Sequence, residues 1–216
     1  MKLKKIASLA LAGIMAVSML AGCKDGGNGN SGSSSSETTV SVGYASNIYN
    51  ALNSKSKELI QTKSDSIINN VATAMVAAYN PNWFSNIEGR QDAVVGTIPT
   101  NPTMVNVLNT AARKELSADY KLITETDLAD DEYVSKMKDG NVAVVVMVGD
   151  HSLTEATMIN QIADVINDNF ANISSNSNNA DTKNYYLSAT KVTTGSGNSQ
   201  VDFVVIGIEY ELVKAA

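Results

Sequence analysis

Hydrophobic residues follow helical spacing in some parts of the 216-residue chain and extended spacing in others. Between residues 46 and 79, apolar side chains recur at steps near 3.6 without an intervening proline or glycine. This spacing predicts one long helix, or two helices with a break near residues 63–65, where helix-capping serine and aspartate are frequent. The sequence Asn80-Pro81-Asn82 predicts the end of this helical region.

Shorter elements are predicted in the middle of the chain. The dipeptide Asn101-Pro102 is typical of a helix start, because asparagine caps helices and proline suits the first turn. The helix predicted after it covers residues 103–116, and residues 120–123 are predicted to form a short strand. Asp127 is then predicted to cap a helix over residues 128–138.

The C-terminal half begins with the clearest strand of the chain, residues 141–149, whose apolar part is residues 142–148. Because both of its faces are apolar, we predict that it lies inside a sheet that is covered on both sides. A helix is predicted next, with Ser152 and Glu155 as its capping box. Residues 184–194 and 201–213 then predict two strands joined as a β-hairpin.

Together these elements predict an α+β fold. We expect a small mixed or antiparallel sheet with packed helices, in which a C-terminal β-α-β-β unit follows a helical N-terminal half. The hydrophobic pattern does not determine the order of the strands within that sheet.

The first residues combine positive charge with a short apolar segment. Lys2, Lys4 and Lys5 precede residues 6–21, which are apolar apart from two serines and one glycine. At 16 residues, this segment is shorter than the roughly 20 residues that a membrane-spanning helix requires. A basic head, a short apolar segment and small residues at its end are typical of a secretory signal.

The apolar segment ends in Leu20-Ala21-Gly22-Cys23, which contains the only cysteine of the chain. This sequence resembles the lipobox of bacterial lipoproteins. The resemblance implies that the Cys23 thiol receives a diacylglycerol and that a dedicated signal peptidase cuts before it, which removes residues 1–22. The alternatives are an ordinary signal peptide and an uncleaved helix in which the cysteine occurs by chance.

Lipidation at Cys23 implies that the protein is exported and held at the outer face of the cell membrane. A diacylated cysteine carries at least two acyl chains, whereas one chain alone anchors a protein only reversibly. Few arginines, many lysines and a long segment of serine, glycine and asparagine favour a Gram-positive source. The membrane is therefore one expected partner, and an envelope protein or a cell-wall polymer is another.

Residues 23–39 form a predicted tether that begins with the lipidated cysteine and is rich in glycine, serine and asparagine. Such a composition has little apolar surface to bury, so we expect disorder there. The 16 residues after Cys23 have an expected r.m.s. reach of about 20–24 Å. A single α+β domain is expected to occupy residues 40–216, clear of the lipid headgroups.

The residue composition disfavours several functions. Removal of residues 1–22 takes away three lysines and changes the formal net charge from −6 to −9, which disfavours nucleic acid as a partner. No cysteine follows Cys23, so a disulfide, a catalytic thiol and a thiolate metal site are excluded from the domain. His151 is the only histidine, which excludes a zinc site built from several histidines. We expect neither a metal nor a cofactor.

Asp150, His151 and Ser152 are the best candidates for a ligand site. They lie where a central strand meets a helix N-terminus, a place where ligands often bind in α/β folds. His151 could act there as a base or contact an anion, although all three residues are also ordinary in a turn. The motifs of serine hydrolases, zinc peptidases and nucleotide-binding proteins are absent, and no catalytic residue is assigned.

Three functions fit the sequence. The first is a non-enzymatic envelope lipoprotein that displays a binding or scaffolding domain outside the membrane. The second is a membrane-tethered, carboxylate-dependent hydrolase, which requires two acids, or His151 and an acid, to converge in a cleft. The third is a small-solute-binding lipoprotein.

Overall fold

Seven strands and five helices make up the part of the chain that the computed structural model describes. The described residues are 39–93, 101–124, 127, 136–153, 155–171 and 182–213. Strands β1 to β7 span Thr39–Val42, Ile60–Thr62, Gln91–Ala93, Tyr120–Leu122, Val142–Asp150, Thr182–Thr194 and Val201–Val213. Helices α1 to α5 span Tyr44–Ala51, Ser54–Leu59, Ser66–Ala78, Pro102–Glu115 and Glu155–Phe170. Two short 3-10 helices span Pro81–Asn86 and Gly197–Ser199.

The strands form one mixed sheet with its longest strands in the centre. Along the main path the order is β1-β6-β7-β5-β3, and all neighbours on this path are antiparallel. Strand β2 lies parallel to β6 and strand β4 lies parallel to β5, so β5 and β6 each carry two short strands on their outer edges. The predicted α+β fold, with its C-terminal β5-α5-β6-β7 unit, is confirmed.

Helices cover both faces of this sheet. Side chains alternate along β5, so that Ala143 and Val145 pack with helices α1, α2 and α5, whereas Val144 and Val146 pack with α3 and α4. All nine residues of β5 are buried, as predicted for a strand that is covered on both sides. The core therefore consists of two apolar layers separated by the sheet.

Gly207 allows helix α3 to approach the centre of the sheet closely. It pairs with Ser188 across strands β6 and β7. A Cβ atom at residue 207 would lie 2.6 Å from Ser188 Oγ and 2.8 Å from Ile68 Cδ1. The missing side chain at this position therefore makes room for Ile68, which is fully buried.

The region predicted as one or two helices contains three helices and a strand. The Asn53 side chain caps α2 and the Asp65 side chain caps α3, so the predicted break near residues 63–65 is confirmed. Strand β2 was not predicted. It forms because Ile60 pairs with Tyr185 at the outer edge of β6, and this pairing overrides the helical spacing of the local sequence.

The caps of two further helices test the sequence prediction. Asn101 Oδ1 accepts a hydrogen bond from Met104 N at 3.0 Å, which confirms the predicted start of α4. The prediction that Asp127 caps a helix is wrong. Its carboxylate accepts a hydrogen bond from Thr124 N at 3.0 Å, and its own N–H donates a hydrogen bond to Thr124 Oγ1 at 2.9 Å. This reciprocal pair makes Thr124 the capping residue and Asp127 its partner three residues later. Most of the predicted helix over residues 128–138 lies outside the described residues.

The N-terminal region with the predicted signal, lipobox and most of the tether, residues 1–38, lies outside the described residues. Strand β1 begins at Thr39, one residue before the predicted start of the domain. Within the described ranges, no helix has both the length and the apolar character needed to cross a bilayer.

We expect the free energy of unfolding to fall as the pH rises above 10. Burial raises the pKa of Tyr79 and of Tyr185 from 10.0 to about 12 in the folded protein. Between these two values the unfolded chain loses its tyrosine protons first, so the stability present below pH 10 is lost as the pH rises towards 12. Circular dichroism and tyrosinate absorbance, followed across this range, should report one cooperative transition.

Phenylalanine variants provide the control for this alkaline transition. Tyr185→Phe removes an ionisable hydroxyl that is buried without a hydrogen-bond partner among the described residues, so the neutral-pH stability should change little. Combined with Tyr79→Phe, it should move the transition to higher pH. An unchanged midpoint in the double variant would show that other groups drive alkaline unfolding.

Candidate functional site

Asp150 closes the turn that follows strand β5. It is buried, and its carboxylate accepts hydrogen bonds from Gly89 N at 2.7 Å and from Ser152 N at 2.8 Å. Burial acts to raise the pKa of this carboxyl, but the N–H groups of Gly89 and Ser152 outweigh burial and hold the pKa below its usual value. Asp150 therefore ties the loop that contains Gly89 to the end of the sheet.

The structure corrects the predicted capping box of helix α5. The helix begins at Glu155, so Ser152 does not directly precede it. Ser152 is exposed and donates its backbone N–H to Asp150, two residues earlier, which is ordinary geometry for a turn initiated by aspartate. Ser152 is therefore a turn residue rather than the cap of the helix.

His151 contacts an acid that is distant in sequence. Its backbone N–H donates to Gln200 O at 3.1 Å, and its ring Nδ1 lies 3.0 Å and 3.1 Å from the two carboxylate oxygens of Asp202. The Asp202 side chain is 6% exposed, whereas the His151 side chain is 43% exposed. The structure therefore places a buried carboxylate behind an imidazole that is open to solvent.

Two further side chains contact the carboxylate of Asp202. Thr193 Oγ1 donates a hydrogen bond to Asp202 Oδ1 at 2.6 Å, and Lys191 Nζ lies 3.3 Å from Asp202 Oδ2. Lys191 also lies against the ring of Tyr44, with Nζ 5.9 Å from the ring centre. The buried carboxylate is thus matched by an ammonium group, a hydroxyl and an imidazole, as a buried charge requires.

Sequence reasoning does not identify Asp202, although the sequence contains a signal for it. Asp202 is the only charged residue between Val201 and Ile208 in an otherwise apolar strand. A carboxylate inside such a strand requires a partner, but the local sequence does not show which one. His151 and Asp202 are 51 residues apart, so their contact depends on the register in which β5 pairs with β7.

The His151–Asp202 pair meets only part of what acid–base catalysis requires. A carboxylate on Nδ1 is the arrangement that orients a catalytic histidine and leaves Nε2 for the substrate. Catalysis also requires a cleft that brings a substrate to this nitrogen. One cleft among the described residues lies beside strand β6, and neither His151 nor Asp202 lines it.

This cleft has a volume of about 340 Å³ and opens at the outer edge of strand β6. Its described lining comes from the start of α1, from the link between β2 and α3, from Asn69 on α3 and from the middle of β6. In residue numbers, these parts of the lining fall within 43–46, 62–65, 69 and 188–190. None of them carries a recognisable motif, and they meet only when the sheet forms, so sequence reasoning does not find the cleft.

Within the described ranges, no group of three or more histidine, cysteine, aspartate or glutamate side chains could hold a metal ion. The His151–Asp202 pair and the cleft beside β6 are two candidate sites among the described residues. No protein-family model matches the chain, and no curated protein or solved structure is detectably similar to it.

Proposed function

We propose that this protein is a bacterial envelope lipoprotein, anchored to the outer face of the cell membrane, that displays a non-enzymatic binding domain. The observation that carries the proposal is the sequence Leu20-Ala21-Gly22-Cys23 behind a basic head and a short apolar segment. Two acyl chains on Cys23 suffice for stable anchoring. The Gly/Ser-rich residues after Cys23 give the domain freedom to reach a partner near the membrane.

The fold supports the binding part of this proposal. Strand β1 begins at Thr39, at the end of the predicted tether, and follows the outer edge of β6 as far as Val42. Gly43, the next residue, lines the cleft beside β6. The start of strand β1, where the predicted tether ends, and the cleft therefore lie at the same edge of the sheet, separated by the length of β1.

Replacement of Cys23 tests the anchor in a Gram-positive host that produces the full-length chain. Cys23→Ala should abolish incorporation of an alkyne-labelled palmitate and leave the chain uncut before residue 23, because no thiol is available for the diacylglycerol. Labelling and intact mass spectrometry measure both effects. Ser18→Ala, in the same apolar segment, should keep both the label and the cleavage. Label retained by Cys23→Ala, or absent from the unaltered protein, would contradict the proposal.

A membrane-tethered hydrolase is the second candidate function, and the His151–Asp202 pair is the observation that favours it. Asp202 lies where it would orient His151 as a general base. The cleft beside β6 does not contribute to such a site, because its described lining includes neither residue. An enzyme of this kind should lose hydrolysis of a model ester in His151→Ala while the fold is retained.

A further inference from the structure

Two short strands leave a gap along the outer edge of strand β6. Strand β2 pairs with residues 185–187 and strand β1 pairs with residues 190–193. Ser188 and Ala189 lie between them and have no register partner in either short strand. The cleft of about 340 Å³ opens at this gap, between the first turns of helices α1 and α3.

The charged groups of the cleft already have partners within the protein. Lys63 forms an ion pair with Glu209, and its Nζ also lies 5.5 Å from the centre of the Tyr186 ring. Asp65 accepts hydrogen bonds from Ile67 N at 2.8 Å and from the Tyr120 hydroxyl at 2.7 Å, one on each carboxylate oxygen. The cleft therefore does not require a charged ligand to neutralise Lys63 or Asp65. A charged ligand would have to compete with the contacts that these side chains already make.

The remaining polar groups of the cleft are hydroxyls and an amide. Ser46, Thr62 and Ser64 are exposed, and their hydroxyls make no hydrogen bond to the described part of the protein. Asn69 Oδ1 accepts a hydrogen bond from Thr190, which leaves the amide nitrogen of Asn69 as a donor. A hydroxyl can donate and accept at once, so this lining suits a ligand whose own groups do both.

We infer that the cleft binds an uncharged saccharide. This inference rests on the proposed function of the protein as a binding domain of the cell envelope. Sugars present hydroxyls that donate and accept, and they match a lining that is polar but has its charges paired. The only apolar side chains of the described lining are those of Ala45 and Ala189, which disfavours an apolar peptide side chain as the ligand. The volume lies at the lower end of the range for small-ligand sites, about 300–1,000 Å³, so one or two sugar rings would fit.

The affinity of a single site should be low. No aromatic side chain belongs to the described lining, so hydrogen bonds must supply most of the binding free energy. Such bonds replace hydrogen bonds to water, and each contributes little to the binding free energy. We therefore expect a Kd on the order of 1 mM. A weak site of this kind suits a ligand that is abundant close to the membrane.

Titration by nuclear magnetic resonance tests the site. The sample is the chain from residue 23 to residue 216 with Cys23→Ala, which keeps every described residue. N-acetylglucosamine and glucose are the neutral probes, and acetate and inorganic phosphate are the charged probes. We expect saturable shifts for the backbone amides of residues 43–46, 62–65 and 188–190 with at least one sugar, and no saturable shift in these amides with the charged probes.

Two leucine variants provide the matched comparison. Ser46→Leu places a bulky apolar side chain in the cleft and should weaken sugar binding at least tenfold. Ser54→Leu makes the same change at an exposed position in the first turn of α2, away from the cleft, and should leave binding unchanged. Ser64→Leu is the second cleft variant if Ser46→Leu disturbs the spectrum of the folded protein.

Each outcome decides the inference. Saturable shifts confined to the cleft and lost in Ser46→Leu support it, and binding to purified cell-wall glycan that exceeds binding to free sugars identifies the polymer as the source. Stronger binding of the free sugars identifies a small solute instead. No saturation with either sugar or with the glycan, or binding of acetate or phosphate in the cleft, overturns the inference. The Cys23 labelling result is independent, so a failed titration leaves the proposed anchor standing.

Discussion

Replacement of Phe170 by alanine is expected to lower the free energy of unfolding by about 3–5 kcal/mol. Phe170, the last residue of α5, is fully buried and meets the ring of Tyr185 edge to face, with ring centres 4.9 Å apart. Alanine would remove this contact and leave a cavity between the helix and the sheet. Natural domains are stable by only about 5–15 kcal/mol, so the loss is a large fraction of the total.

Thermal and urea denaturation, followed by circular dichroism, measure the effect of this substitution. For a chain of this size, a loss of 3–5 kcal/mol corresponds to a fall in Tm of roughly 6–20 °C. Phe84→Ala is the matched control, because the Phe84 ring is only partly buried against the other core layer. It should cost about 1–2 kcal/mol. Equal losses of unfolding free energy in the two variants would show that the core layer between α5 and the sheet is packed no more tightly than the layer on the opposite face.

The part of the fold around Phe170 could be predicted from the sequence because its signals are local. Helix α5 has an apolar stripe at helical spacing, and strand β5 is apolar on both faces. The β6–β7 hairpin follows from two β-rich segments joined by a glycine-rich turn. In each case, the residues that determine the element lie within it or directly beside it.

The elements that sequence reasoning missed depend on distant partners. Strand β2 has only three residues, and it is extended because the edge of β6 offers it a pairing partner at Tyr185–Leu187. Helical spacing continues through this segment of the sequence, so no local feature distinguishes a strand from a helix there. Secondary-structure preference was overridden here by tertiary pairing.

The candidate sites were predicted less completely for the same reason. The position of His151 between a central strand and a helix marks it as a candidate in the sequence, but its partner Asp202 belongs to a different strand. The cleft beside β6 combines short polar segments, each of which has an ordinary local role in a turn or at a helix start. Only the pairing of β1 and β2 with β6 brings these segments together.

Substitutions of Asp202 and His151 are expected to have very different effects on stability. Asp202→Ala removes a buried carboxylate and leaves Lys191, whose side chain is only 15% exposed, without that partner. It also removes the acceptor of the Thr193 hydroxyl. Breaking a buried ion pair in this way costs about 3–5 kcal/mol. His151→Ala removes a side chain that is 43% exposed, so the expected loss is below about 1 kcal/mol.

Urea denaturation of both variants, together with hydrolysis of a model ester, separates a structural role from a catalytic one. If Asp202 serves mainly to neutralise Lys191 and to fix Thr193, stability falls in Asp202→Ala and is nearly unchanged in His151→Ala. Asp202→Asn, which keeps an acceptor for Thr193 but loses the charge, should lie between the two. A loss in His151→Ala as large as that in Asp202→Ala would contradict this account of the buried charge. Ester hydrolysis that is present in the unaltered protein and absent from a folded His151→Ala variant would instead favour the hydrolase. The imidazole would then have a catalytic role rather than a structural one.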